Sequence, residues 1–269
     1  MTRVNKKPVT KVEVVPEPEI QYAATPELFV EIEHWLMNRG GLEKKAERDS
    51  AVYYDTKNFR LLREGIEYRI KEKGKLFRHD MKTPHDTHMR EVVPDANGIL
   101  HRHEMKFKTR TVKPSLKAFF GQALLDPVKD RVWRFFDKEL EAKFRSSFFK
   151  KKIDHETDCQ RSRVEYSFQT GNMETVDGSR KTKLLYILEL ELREGMDEGL
   201  LEEKAELERI FVPKGLKLLT DRKVMLGFEL LLPQMSEKQR HAYLDAKRRN
   251  GGGDVQARNN NPAGLFKAA

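Results

Sequence analysis

The sequence predicts an α+β protein whose antiparallel strands present one apolar and one charged face, with helices against the apolar side. Three observations carry this reading: successive segments alternate with period two, the first pair meets at a Gly74 turn, and helical patterns stand between and after them.

Taken in order, residues 1–17 are basic and punctuated by proline, and are expected to form a flexible arm. Thr25-Pro26-Glu27 opens a helix with a capping hydroxyl, a proline in the first turn and an early acid. Leu28, Phe29, Ile32, Trp35 and Leu36 give it an apolar face, and Gly40-Gly41 ends it. Two strands follow. Ile66, Tyr68 and Ile70 alternate with Glu67, Arg69 and Lys71; Phe77, His79 and Met81 alternate with Arg78, Asp80 and Lys82. In the next, His101, His103, Met105 and Phe107 alternate with Arg102, Glu104, Lys106 and Lys108. A second helical pattern runs from Asp126 to about Phe144. Val164, Tyr166 and Phe168 then alternate with Arg163, Glu165, Ser167 and Gln169, and Leu188, Leu190 and Leu192 with Glu189, Glu191 and Arg193. A third helix follows Asp197, and a fourth, charged and capped by Ser236, is expected over 236–249. The remaining Gly/Asn/Arg-rich tail has too little apolar surface to order itself. The expected division is therefore arm 1–17, folded domain 18–232, and helix plus tail 233–269.

The charged strand faces carry more bases than acids, and the chain of 269 residues has a net charge of +9. An anionic partner is the natural expectation. Cys159 is the sole cysteine, which excludes an internal disulfide and a cysteine-rich zinc site. No signal-peptide core or membrane-length apolar run occurs, so a reduced cytoplasmic setting without membrane contact is expected. Periodicity leaves two architectures open. An open sheet would wet its charged face; a sheet closed on itself would turn those charges into a tunnel, where they must pair, stay hydrated or meet a ligand.

Several segments, in order over most of residues 19–228, resemble the CYTH family of triphosphate tunnel metalloenzymes. The block YYDTKNFRLLREGIEYRIKEKGKLFRHDMKTP places Arg69 and Lys71 on that family's Arg-x-Arg pair and Lys82 on a later lysine. GILHRHEM is similar to its next strand through Arg102 and Glu104. FRSSFFKKKID is similar to a phosphate-binding strand through Lys150 or Lys152, and RVEYSFQTG to the family's Ile-Glu-x-x-Leu-Asp-x-Gly strand, with Glu165 on its glutamate and Gln169 on its aspartate. ILELELREG matches the late acidic strand, and DRKVMLGF the closing segment through Lys223. The resemblance implies a closed or nearly closed antiparallel barrel of about eight strands with helices packed outside. Its lumen would bind triphosphate-bearing ligands.

The departures concern the metal. The family's opening Glu-x-Glu-x-Lys corresponds to EIQYAA, so Glu19 is kept while Gln21 and Ala23 replace the next acid and the lysine. Gln169 and Ile187 stand where further acids are usual, leaving Glu189 and Glu191. A hard divalent cation needs several carboxylate oxygens, so the set Glu189, Glu191 and Glu19 is expected to hold metal weakly or not at all.

The leading expectation is a non-catalytic nucleic-acid-binding protein, with RNA or another single strand as partner. Arg69, Lys71, Arg78, Lys82, Arg102, Lys106, Lys108, Lys150, Lys152, Arg163 and Lys223 would contact phosphates, and Arg248, Arg249 and Arg258 would add tail contacts. This reading needs no cofactor and assigns no catalytic residue; self-association through the tail is a further expectation. The alternative is a magnesium- or manganese-dependent triphosphatase acting on RNA 5′ ends, nucleotides or inorganic triphosphate. A receptor for a nucleotide or polyphosphate is the third. Phe119, Phe120, Phe148 and Phe149 suit core packing better than base stacking, and His101 and His103 lack a third zinc ligand.

Overall fold

A computed structural model describes residues 12–85, 94–120, 139–157, 162–219 and 222–249. Most of the expected arm, most of the expected 126–144 helix and the tail beyond Arg249 lie outside these residues.

Eight antiparallel strands close into a barrel: β1 (Glu13–Ala23), β2 (Leu42–Asp55), β3 (Glu67–Lys73), β4 (Leu76–Pro84), β5 (Leu100–Thr109), β6 (Glu141–Glu156), β7 (Arg163–Thr175) and β8 (Leu185–Glu194). Around the wall the order is β5-β4-β3-β2-β6-β7-β8-β1, and β1 closes the ring. Its first half, from Glu13 to Glu19, pairs with β5, and Glu19 to Ala23 pair with β8. A two-residue strand β9 (Lys217–Leu218) adds to the end of β1. Of the two architectures the sequence leaves open, the closed one is found. Closure removes the sheet edges and turns most of the charged strand positions to the interior.

The apolar faces point outward beneath helices. Ile20, Tyr22, Val164, Tyr166, Phe168, Leu188 and Leu190 form one cluster with helix α1 (Pro26–Asn38) and helix α4 (Asp197–Phe211). Thr25 accepts the Leu28 N–H at 3.3 Å and starts α1 as expected. Ile32 and Leu36 are fully buried in that cluster, each worth about 1.5–3 kcal/mol of transfer free energy. On the other side, Tyr68, Ile70, Met81, Met105 and Phe107 pack with Leu61 of helix α2 (Arg60–Arg63) and Phe119 of helix α3 (Lys117–Phe120). The Tyr-Tyr-Asp-Thr segment serves this layer. The buried Asp55 carboxylate accepts the N–H groups of Thr56, Leu61 and Leu62 at 2.6, 2.9 and 3.0 Å, which fixes the turn into α2.

One end of the barrel is filled. Ala51, Tyr53, Phe144, Phe148, Leu185 and Ile187 share strand faces with Asp49, Lys150 and Glu189. They pack against Val224, Met225 and Phe228 of helix α5 (Lys223–Glu229), with Tyr243 and Ala246 of helix α6 (Glu237–Arg249) behind. The lumen is thus a blind cavity with an apolar floor. Ser236 caps α6 as expected, its hydroxyl accepting the Gln239 backbone N–H while the Gln239 side-chain amide oxygen accepts the Ser236 N–H. The packed body therefore takes in this helix beyond residue 232, and β1 takes in residues 13–17 at the other end.

Two sequence expectations change. Helix over 126–144 does not hold at its end, because Glu141 to Phe144 belong to β6. That strand is hydrogen-bonded on both sides, to β2 and β7, and this pairing overrides a local helical pattern. Among the aromatic candidates, Phe119 and Phe148 lie in the core, Phe149 is exposed on the outer wall, and the Phe120 side chain is outside the described residues.

Helices α1 and α4 are tied to the wall by a buried polar knot. Arg39 donates to both oxygens of Glu203 at 3.0 Å, and the Tyr166 hydroxyl donates to Glu203 at 2.5 Å. Burial opposes ionisation of Glu203, but His155, Arg39 and Tyr166 outweigh it and hold the carboxyl at about 2, down from 4.5. A depressed acid stabilises the fold above its unfolded pKa and loses that contribution as pH falls through the folded one. The term is roughly 3 kcal/mol and disappears between pH 4.5 and 2. Chemical denaturation across that window should show a shallower acid slope for Glu203→Gln than for the parent; equal slopes would exclude this role. Separately, a Cβ on Gly227 of α5 would enter the Phe144 ring. Gly227→Ala should therefore lower stability by about 1–3 kcal/mol despite its better helix propensity, as read by urea unfolding.

Candidate functional site

The inward faces of the strands meet in a cavity of about 100 Å³ above the floor. Arg69 and Lys71 reach it from β3, Arg78 and Lys82 from β4, Lys106 from β5, Lys150 and Lys152 from β6, and Lys223 from the first turn of α5. Glu17, Asp49, Glu104, Glu165, Glu189, Glu191 and Arg193 line it with them. Arg102 lies deeper, beside Gln21, Glu67 and Lys223.

Acids and bases are unevenly spread around the wall. On the β2–β3–β4–β6 side, the Asp49 carboxylate accepts from Lys71 at 2.8 Å and Lys150 at 3.0 Å. Asp80 accepts from Arg78 at 3.0 Å and Arg69 at 3.2 Å, and Arg69 also reaches Glu104 at 3.3 Å. Burial, reinforced by Arg69 and Lys150, drives the Lys71 ammonium well below the ordinary lysine range despite Asp49 and Asp80.

The β1–β7–β8 side has the opposite character. Glu19 stands opposite Glu191, which also stands opposite Glu165. Lys82 sits between Glu17 at 2.6 Å and Glu19 at 3.5 Å, and Arg102 pairs with Glu19. Burial pushes Glu17 up to about 8, with Glu104 and Glu19 adding to it against Lys82 and Arg102. Glu191 rises to about 7, again chiefly by burial, with Glu189 and Glu19 adding against Arg193 and Lys82. Like charges crowd on this side.

The metal candidates Glu19, Glu189 and Glu191 do come together, but their oxygens are already engaged. The Gln21 side-chain N–H donates to Glu19 at 2.7 Å and to Glu189 at 2.8 Å. The Gln169 side-chain N–H donates to the other Glu189 oxygen. Glu191 pairs with Arg193; Glu165 pairs with Lys152 at 2.7 Å, Arg193 at 2.5 Å and Lys44 at 3.0 Å. A divalent ion needs several free oxygen lone pairs converging on one point, and this donor set does not fit one. Among the described residues no group of three His, Cys, Asp or Glu is placed to hold a metal. His85 stacks on His103 with ring centroids 4.5 Å apart.

The remaining expected contacts fall elsewhere. Lys108 is exposed near the end of β5 and does not line the cavity. Arg163 is at the rim, paired with Glu194. Arg248 is exposed on α6, while the Arg249 side chain and Arg258 are outside the described residues. Sequence reading missed Glu17, Asp49 and the partnering role of Gln21. Glu17 was assigned to the arm because Pro16 and Pro18 obscure a strand; both prolines pair with β5 in the first half of β1.

No family model matches the sequence, and no curated protein does either. Among solved structures, the chain is similar to an adenylyl cyclase candidate from Hippeastrum with a dominant triphosphatase activity. The TM-score is 0.51 at 16% identity, covering 79% of this chain and 95% of that one. An adenylate cyclase candidate from Bacillus halodurans gives 0.49 at 16% identity, over 79% and 97% of the two chains. The PH1012 protein from Pyrococcus horikoshii gives 0.42 at 12% identity, over 78% and 98%. No described helix is long and apolar enough to cross a membrane. With its eight strands closed on a charged lumen and helices outside, the chain has the CYTH-like triphosphate tunnel fold.

Proposed function

We propose that the lumen is a non-hydrolysing receptor for a short phosphate-rich anion, a triphosphate group either free or carried on a nucleotide or an RNA 5′ end. The observation that carries this reading is the convergence of Arg69, Lys71, Arg78 and Lys150 around the shared carboxylates Asp49 and Asp80 inside a closed cavity. An entering phosphate would take over Lys71 and Lys150 from Asp49 and relieve their mutual repulsion. Charge-assisted contacts of this kind are the strong ones, more so in a space shielded from water. The blind floor and small volume favour a compact group over a strand threading through. RNA would engage by its terminal triphosphate, with the tail arginines adding sequence-independent attraction.

The hydrolytic alternative draws support from the triphosphatase activity of the Hippeastrum protein. Against it stands the engagement of Glu19, Glu165 and Glu189 by amide, ammonium and guanidinium donors.

Calorimetric titration with tripolyphosphate should give saturable binding. Lys71→Ala and Lys150→Ala should each weaken it at least tenfold, about 1.4 kcal/mol, while Lys108→Ala should leave it unchanged. RNA with a 5′ triphosphate should bind more tightly than the same RNA with a 5′ hydroxyl. Equal RNA binding that disappears on deleting residues 250–269 would move the site to the tail. Manganese-dependent phosphate release abolished by Glu189→Ala and by Glu191→Ala would establish the hydrolytic alternative instead.

A further inference from the structure

We infer that Gln21 and Gln169, oriented by Lys223, fill with N–H donors the carboxylate oxygens that a divalent cation would need, so that the lumen grips its anion without metal. The second half of this statement rests on the receptor reading above; the first stands on the geometry of four side chains.

Lys223 begins α5, whose Gly227 lies flush against Phe144, so the helix start is fixed relative to the barrel floor. Its backbone N–H donates to the Gln21 carbonyl oxygen at 3.1 Å, and its ammonium donates to the Gln169 carbonyl oxygen at 2.7 Å. Both amides are thereby oriented by the same residue. Their carbonyl oxygens are taken, and their N–H groups must face the carboxylates. The Gln21 N–H bridges Glu19 and Glu189, and the Gln169 N–H takes the second oxygen of Glu189. Glu19 also pairs with Arg102.

Two consequences follow. The lone pairs that a hard cation would need are spent on N–H donors. The Lys223 ammonium also stands 3.9 Å from Glu189, buried beside it. Lys150 and Arg69 line the same cavity. The positive charge facing an anion is then covalently attached and present at any metal concentration. A second cation would have to displace an ammonium and reorient two buried amides.

Manganese titration followed by electron paramagnetic resonance tests the substitution directly. The parent protein should show no specific uptake. Gln21→Glu/Gln169→Glu/Lys223→Met should gain a site at least tenfold tighter than anything in the parent, and adding Glu189→Gln should remove it. If that triple variant unfolds, as judged by thermal melting, Gln169→Glu alone should show a smaller gain. Tripolyphosphate affinity of the parent should be the same in EDTA as in manganese, and Lys223→Met should weaken it at least tenfold. Manganese uptake by the parent that is lost in Glu189→Gln, no gain in either variant, or tripolyphosphate binding only with manganese present would overturn the inference. Failure of tripolyphosphate to bind under every condition would sink the receptor reading, and the manganese comparison would still decide whether Gln21 and Gln169 keep metal out.

Discussion

Everything in this molecule depends on one constraint: charged side chains enclosed by a closed barrel must neutralise one another at short range. Isolated burial of any of them would cost several kcal/mol, and a salt bridge repays that only when geometry is good and further hydrogen bonds complete it. The interior meets the condition by sharing. Asp49 serves two lysines, Asp80 serves two arginines, and Lys82 stands between two glutamates. Removing one partner would strand another, so the lattice also fixes strand register. The helices then only have to cover the apolar outer faces, which they do without entering the charged region except at α5.

The alternation of charged and apolar residues was legible because the period of a strand is fixed by the backbone, so Arg69, Lys71, Lys82 and Arg102 fall on one face whatever the tertiary context. Closure was not legible, since an open sheet and a barrel share that pattern. It reached the sequence reading only through the ordered resemblance of several segments. The apolar floor was hidden for a related reason. Phe144, Phe148 and Ile187 lie on charged-face positions of their strands, and only the approach of α5 makes such residues appropriate there. Ile187 is part of that floor, below the acids that line the cavity on the same strand.

Net charge proved a coarse guide to the interior. Counting along the strand faces gave an excess of bases, but Glu17 and Asp49 come from segments outside the recognised alternation, and they bring the lumen closer to balance. What distinguishes it is the separation of the two signs across its width. Burial is the first cause of the downward shift of Lys71 and of the upward shifts of Glu17 and Glu191, and like-charged neighbours on each side add to it.

A polarised, enclosed field of this kind discriminates by shape as well as charge. An anion is attracted to the β3–β4–β6 wall and repelled by the β1–β8 wall, so a ligand must be narrow enough to keep its distance from the acids while reaching the bases. A duplex or a stacked strand cannot satisfy both conditions within about 100 Å³. In a metal-bearing lumen the acidic wall would be neutralised by the ion, and the ligand could bridge the two sides. With Gln21, Gln169 and Lys223 in place, part of that neutralisation is made permanent at the floor end, while Glu17 and Glu191 still crowd the same side. On the proposed receptor reading, the substitutions that weaken the metal site are thus the ones that would sharpen a preference for a small anion held against one wall.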